Sequence, residues 1–181
     1  TGNFVKAQKA VEKKYGSRVR TIARFNVTEG SEDGILKDLV EEGCDIIFTT
    51  SFGFGEKAKQ WAKKYPKIQF CQSTCSNANE KPKLDNYHTY MGAIYQGRYI
   101  SGVAAGMKLK QLIDEGTITA DQAQVGYVGA YPYAEVISGY TAFFLGVRSV
   151  VPQAEMTVKY TNTWGSYALE KKYATQLINE V

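Results

Sequence analysis

The sequence contains few of the residues that metal centres and disulfide scaffolds are built from. Among its 181 residues are three cysteines and one histidine. This set has no zinc-site spacing, and an odd number of cysteines disfavours a fully disulfide-bonded scaffold. We expect free buried thiols, with a single Cys71–Cys75 bridge as the alternative. We also predict that the chain binds no metal.

Recognisable catalytic motifs are also missing. The chain has neither a GxGxxG fingerprint nor a P-loop, and it has no GxSxG elbow or HExxH helix. The carboxylates Asp45, Asp85 and Asp114 have no spacing that pairs them for acid–base work. We therefore predict no catalytic residue, no cofactor and no enzymatic activity, and keep a flavodoxin-like enzyme as an alternative.

Charge of one sign and long apolar runs are scarce as well. The net charge is +4, and the lysines are spread over predicted helix faces, which is typical of a solvated surface rather than a nucleic-acid footprint. No apolar run is long enough to predict a transmembrane helix, and the chain opens on a helix-like pattern, which does not predict a signal peptide. The predicted partners therefore exclude nucleic acid.

The sequence does show a regular alternation of strand and helix patterns. After Gly43, residues 45–50 form a short apolar run that predicts a strand buried on both faces. Other predicted strands are 18–27, 67–72, 87–91, 124–130 and 155–161, and predicted helices include 3–15, the pattern after Ser31, and the pattern around 58–65. Single helices between strands predict parallel sheets.

The alternation is interrupted once and then restarts. Residues 92–112 predict a long helix whose small residues permit tight packing on a sheet, and residues 113–124 form a polar connection. We predict a first lobe over 1–121 and a second over 122–181. Two Rossmann-like half-units would then hold a ligand between them.

Candidate ligand contacts follow the predicted strands, because the carboxyl ends of parallel strands share one edge. In the first lobe these residues are Ser51, Phe52, Gly53 and Phe54, with Ser73 and Thr74 in the polar loop after the next strand. In the second lobe they are the aromatic residues Tyr131, Tyr133 and Trp164. Phe52 and Phe54 could instead only close the top of the core.

Five stretches in order resemble one protein family. They are Glu42–Phe54 with Ala62–Pro66 after it, Gln96–Gly102, Val125–Pro132, Gly139–Pro152 and Thr161–Trp164. Together they resemble the basic membrane protein (BMP) family, the solute-binding lipoproteins of ABC importers that include purine nucleoside receptors. The resemblance covers nearly all of the chain from about Val5 onward.

The resemblance implies a type I periplasmic-binding-protein fold, with two Rossmann-like lobes and a hinged cleft. It implies binding of a purine nucleoside or a related flat solute, an extracytoplasmic location with a lipid anchor or in the periplasm, and an ABC permease as partner. We expect a monomer. By position, Ser51–Phe54 would line the cleft from the first lobe and Gly129–Tyr133 from the second, and Trp164 would stack on the solute.

The chain departs from the family at two places. It begins in a helix, without the family's opening strand, so we expect a partial copy. Gln72 and the residues after it stand where relatives often carry an acid that holds a ribose. A free base or another flat solute therefore stays open, as does the ligand-sensing domain of a regulator.

Overall fold

The structure, a computed structural model, describes residues 2–180. The chain divides into two compact units, Thr1–Gly92 and Ala93–Val181. Each unit is built around its own parallel sheet. The predicted parallel α/β organisation is confirmed in both units.

The first unit packs helices on a three-stranded sheet. Its elements are α1 (Gly2–Tyr15), α2 (Glu32–Glu41), β1 (Ile46–Thr49), α3 (Gly55–Lys64), β2 (Gln69–Ser73) and β3 (Tyr87–Tyr90). The strand order is β1-β2-β3, with Ile47 beside Phe70 and Phe70 beside Tyr87. These three side chains form the core with Leu36 of α2 and with Ala58 and Ala62 of α3. The helical spacing of the two alanines puts both on the buried face of α3, as predicted.

The strand predicted over residues 18–27 is wrong. In the structure this segment is irregular, and no backbone ladder within residues 2–180 includes it. Its arginines bind the end of α2 instead: Arg20 donates to the carbonyl oxygen of Glu42 at 2.6 Å, and Arg24 forms an ion pair with the Glu42 carboxylate. Alternating polarity is insufficient for a strand, because a strand also needs a neighbour for its N–H and C=O groups.

Strand β1 has the predicted place but is buried on only one face. Ile47 and Thr49 are buried, whereas Ile46 is 52% exposed and Phe48 is 59% exposed. Successive strand residues point to opposite faces, and both α2 and α3 pack on the face that carries Ile47. The apolar run of this strand therefore does not mean that both faces are covered.

The second unit packs three helices with a two-stranded sheet. Its elements are α4 (Ile94–Asp114), β4 (Gln124–Gly129), α5 (Ala134–Val150), β5 (Glu155–Tyr160) and α6 (Tyr167–Glu180). The strands are parallel, and Gly129 lies beside Tyr160 at their carboxyl ends. The core of this unit consists of Leu109, Ala123, Val147, Val151 and Ala154.

The small residues of α4 pack on a helix and not on a sheet, which corrects the prediction. A Cβ on Gly102 would overlap the carbonyl oxygen of Phe143, and one on Gly106 would lie 2.8 Å from the carbonyl oxygen of Val147. Gly146 of α5 makes the reciprocal close approach to α4. The two helix backbones therefore meet at glycines on both sides, a distance that no larger residue permits.

Helix α4 belongs to the second compact unit, which begins at Ala93. The lobe boundary at 121/122, placed in the polar connection between the two alternating patterns, stays a prediction. Although α4 has 21 residues, no helix within residues 2–180 combines the length and the apolar character that a bilayer crossing requires.

None of the three cysteines, all of which lie within residues 2–180, forms a disulfide, so the Cys71–Cys75 bridge is not formed. Cys44, Cys71 and Cys75 are each half-buried rather than fully buried. Burial raises the pKa of the Cys44 and Cys71 thiols, which disfavours the reactive thiolate.

Candidate ligand-binding site

The carboxyl ends of β1 and β2 bring two of the predicted loops together, as the parallel arrangement requires. The side-chain amide of Gln72 donates to the carbonyl oxygen of Ser51 at 2.7 Å. The thiol of Cys75 lies 3.5 Å from the carbonyl oxygen of Phe52. The segment after β1 and the segment after β2 therefore form one surface, which we call the first-unit edge.

Gln72 organises this edge from inside the core. Its side chain is fully buried; it accepts a hydrogen bond from the Thr49 hydroxyl at 2.5 Å and donates to the carbonyl oxygens of Ser51 and Ser73. Buried polar groups must be paired, so this amide fixes the path of the chain where it leaves both strands. The sequence identified Gln72 only as a departure from an acidic position, and this role was missed.

The predicted contact residues of the first unit differ in exposure. Phe54 is 8% exposed and Ser73 is 4% exposed, whereas Phe52 and Thr74 are half-buried. Phe54 thus packs in the core, which is the alternative that the sequence left open for it. Thr74 has a φ of +62° and turns the chain sharply after β2. Contact of these residues with a solute stays a prediction.

The loop between β2 and β3 is held to α3 by buried polar groups. The ammonium of Lys59 donates to the carbonyl oxygens of Asn77 and Glu80 at 2.6 and 2.9 Å. The hydroxyl of Tyr87 lies 3.0 Å from the carbonyl oxygen of Gly55 and 2.8 Å from Oδ1 of Asn77. Burial raises the pKa of Tyr87, so the hydroxyl stays protonated and able to donate.

A carboxylate that the sequence analysis missed lies on the first-unit edge. Glu29, in the irregular segment before α2, accepts hydrogen bonds through Oε1 from the Ser51 hydroxyl at 2.5 Å and from the Gly53 amide at 2.8 Å. A Cβ on Gly53 would overlap the Glu29 carboxyl group. Nothing in the spacing marked this residue, because its contacts are made 22 and 24 positions along the chain.

The second unit brings its three predicted aromatic residues together. The rings of Tyr131 and Tyr133 are stacked with centroids 4.9 Å apart and planes 13° apart. Trp164 lies edge-on to Tyr131 at 5.0 Å and 6.2 Å from Tyr133. We call these three rings the aromatic cluster. Trp164 is 41% exposed, so part of its indole remains open to solvent.

Backbone hydrogen bonds at the ends of β4 and β5 position the aromatic cluster. Thr161 donates its amide to the carbonyl oxygen of Gly129 at 2.9 Å, and Asn162 donates to that of Ala130 at 2.8 Å. The Thr161 hydroxyl donates to the carbonyl oxygen of Thr163 and closes the turn before Trp164. The two loops are therefore joined mainly through main-chain groups, independently of which side chains they present.

Gly129 is placed at the end of β4 for a packing reason. A Cβ at this position would lie 3.2 Å from both the Tyr160 ring and Val136. The glycine thus lets the Tyr160 ring cover the strand end beside the aromatic cluster.

Within residues 2–180 no group of His, Cys, Asp or Glu side chains is arranged to hold a metal ion.

Residues 3–181 match the Bmp family, described as ABC transporter substrate-binding protein, PnrA-like. The chain belongs to this family. The family is one of solute-binding proteins, and the resemblance seen in the ordered sequence motifs is thereby confirmed.

Two named relatives of this Bmp chain differ in the solute that their names give. A purine-binding protein of Brucella abortus is 32% identical over 96% of this chain and 45% of its own length. A protein of Haloferax volcanii named as a glucose-binding protein of an ABC transporter is 30% identical over 96% of this chain and 40% of its own length. The Bmp chain thus spans less than half the length of either relative.

A solved structure supports the fold of the Bmp chain. An ABC transporter solute-binding protein from Aeropyrum pernix superposes with a TM-score of 0.72 at 18% identity, covering 96% of this chain and 46% of the other. At this identity the likeness concerns the fold alone. The predicted class, an α/β solute-binding fold with parallel sheets, is confirmed.

Proposed function

We propose that this Bmp-family chain binds a purine nucleoside or a related flat solute for an ABC importer. The observation that carries the proposal is the aromatic cluster at the strand ends of the second unit. Three rings lie within 6.2 Å of one another there, and Trp164 is 41% exposed. An exposed indole is a surface on which a flat, uncharged ring can stack.

The first-unit edge is proposed as a second contact surface, tested separately from the aromatic cluster. It offers the half-buried ring of Phe52, the hydroxyl of Thr74, and the turn from Ser51 to Gly53, whose hydroxyl and amide protons are donated to Glu29 so that its remaining oxygen lone pairs face the solute. These groups suit a solute that combines an apolar ring with hydroxyl or amide hydrogen-bond partners. The name of the Brucella relative supports a purine as that ring.

The partners and location follow from family membership as parts of the same proposal. The solute-bound protein would deliver its cargo to an ABC permease, acting outside the cytoplasm as a monomer, in the periplasm or held to the membrane by a lipid anchor. Solute-binding proteins of this kind perform no chemistry on their cargo, and we propose no enzymatic activity for this chain.

The test is a titration of the protein at its full natural length with adenosine, adenine and glucose by calorimetry. We expect adenosine or adenine to bind, and Trp164→Ala to weaken that binding roughly 5- to 100-fold, the loss expected for one stacked base. In a Trp61→Phe background Trp164 is the only indole among these 181 residues, and fluorescence quenching that is lost in Trp164→Ala reports stacking directly.

Trp61→Ala is the matched control. Trp61 lies on α3, stacked on Tyr65 and bonded to Asp33, so its loss removes an indole without touching the aromatic cluster. Binding of glucose but not of adenosine or adenine would overturn the purine assignment. Equal affinities in wild type and Trp164→Ala would show that the indole only packs against its tyrosines.

A further inference from the structure

The first-unit edge contains a negative charge at a position where a phosphate would otherwise find donors. Glu29 accepts from the amide of Gly53, which lies in the single 3₁₀ turn that leads directly into α3. Amides in a first helical turn have no partner within the helix and favour anions. Here the protein supplies that anion from its own chain, so the Gly53 amide and the neighbouring Ser51 hydroxyl are already used as donors.

Glu29 is held in place by two hydrogen bonds but is not neutralised by a cation in the part of the chain that the structure describes. One oxygen, Oε1, accepts from both the Ser51 hydroxyl and the Gly53 amide, and the carboxyl group occupies the space that a side chain at residue 53 would fill. No ion pair neutralises Glu29 among residues 2–180, whereas Arg24 and Lys57 bind other carboxylates. The edge therefore has a fixed and uncompensated negative charge.

We propose that Glu29 is a specificity-determining residue: it fixes the turn from Ser51 to Gly53 and excludes phosphorylated solutes from the first-unit edge. This inference rests on the proposed function, because it assumes that a solute contacts this edge. A neutral solute can offer hydroxyl or N–H donors to the carboxylate. A phosphate meets like charge instead and cannot displace it from the Gly53 amide without breaking two hydrogen bonds.

The first experiment compares the affinities of adenosine and adenosine monophosphate. In wild type we expect adenosine to bind more tightly than adenosine monophosphate, because the phosphate is repelled by the Glu29 carboxylate. Glu29→Gln removes the charge but keeps an oxygen that can accept from Ser51 and Gly53. The dissociation constant of adenosine monophosphate divided by that of adenosine should then fall about a hundredfold, the size expected for two unit charges roughly 6 Å apart at an effective dielectric constant of about 20 near a protein surface.

Glu41→Gln is the matched control, since it removes one negative charge from the same unit. Glu41 ends α2 on the side where the chain enters β1, at the opposite end of the sheet from Ser51, and it pairs with Lys37. In Glu41→Gln the ratio of the dissociation constants of adenosine monophosphate and adenosine should stay at the wild-type value. If Glu29→Gln changes the ratio no more than Glu41→Gln does, the exclusion role is refuted.

A second experiment needs no solute. Glu29→Ala should speed hydrogen exchange of the Gly53 amide about tenfold or more, because its acceptor is lost, and Gly53→Ala should displace the carboxyl group and free the Ser51 hydroxyl. An unchanged hydrogen-exchange rate of the Gly53 amide in Glu29→Ala would show that Glu29 does not fix the turn from Ser51 to Gly53. If wild type binds neither adenosine nor adenine, the proposed function fails and the exclusion role with it, while the exchange rate of the Gly53 amide still decides the structural role.

Discussion

Replacing Gln72 with leucine tests whether a buried amide, rather than apolar packing, sets the first-unit edge. The side chain is fully buried and makes three hydrogen bonds, two of them to the buried residues Thr49 and Ser73. Leucine has a similar size but leaves these groups unpaired. At about 1–3 kcal/mol for each orphaned buried group, offset by the better burial of leucine, the net loss should be about 2–4 kcal/mol.

The assay is urea unfolding followed by the fluorescence of Trp61, which lies on α3 and reports the first unit, in a Trp164→Phe background. Gln60→Leu is the matched control, because Gln60 is exposed on the same helix and its replacement should cost less than about 0.5 kcal/mol. If Gln72→Leu unfolds within about 0.5 kcal/mol of wild type, the three hydrogen bonds do not hold the edge.

A glutamate at position 72 separates hydrogen bonding from size. An ionised carboxylate could still accept from Thr49 but would face the carbonyl oxygens of Ser51 and Ser73 without a donor. Such a buried carboxyl group has a raised pKa in the folded state, so its protonated form is the one that stabilises. The deficit of Gln72→Glu relative to wild type should therefore shrink as pH falls below neutrality, and a deficit that grows would contradict this reasoning.

Two further predictions concern other parts of the fold. Gly102→Ala should destabilise the second unit by about 2 kcal/mol or more, because its Cβ meets the carbonyl oxygen of Phe143. Thermal unfolding compared with that of Gly97→Ala, a position with open space around it, measures the difference, and equal melting temperatures would be inconsistent with close helix packing. The contribution of Tyr87 to the stability of the first unit should be fully present below pH 10 and be lost at higher pH, because burial raises the pKa of Tyr87 above that of the unfolded chain. Tyr87→Phe should remove that part of the pH dependence, and an unaltered alkaline slope in urea unfolding would argue against it.

The order of helices and strands could be predicted because each depends on local pattern. The spacing of Ala58 and Ala62 predicted the buried face of α3, and strand patterns separated by single helices predicted parallel sheets. The juxtaposition of Ser51 with the end of β2 followed from that topology alone. Local periodicity and chain connectivity are thus enough to predict which loops meet at the first-unit edge and at the aromatic cluster.

What the sequence did not predict depends on partners that are distant in the chain. Residues 18–27 alternate like a strand but have no ladder neighbour within residues 2–180, and Phe48 lies in an apolar run yet is 59% exposed. The small residues of α4 indicated a close approach without saying to what. Both hydrogen bonds of Glu29 on this edge, and two of the three hydrogen bonds of Gln72, are made to residues more than 20 positions away. Such contacts leave no periodic trace in one sequence.

The main-chain connection between the loops after β4 and β5 has a consequence for how the aromatic cluster can change in evolution. The bonds from Thr161 to Gly129 and from Asn162 to Ala130 use backbone atoms, so the loop shape is independent of the rings at 131, 133 and 164. Selection can exchange those rings one at a time while the scaffold that displays them stays intact. A library randomised at only these three positions should therefore yield folded variants, and under the proposed function these variants should differ in solute preference.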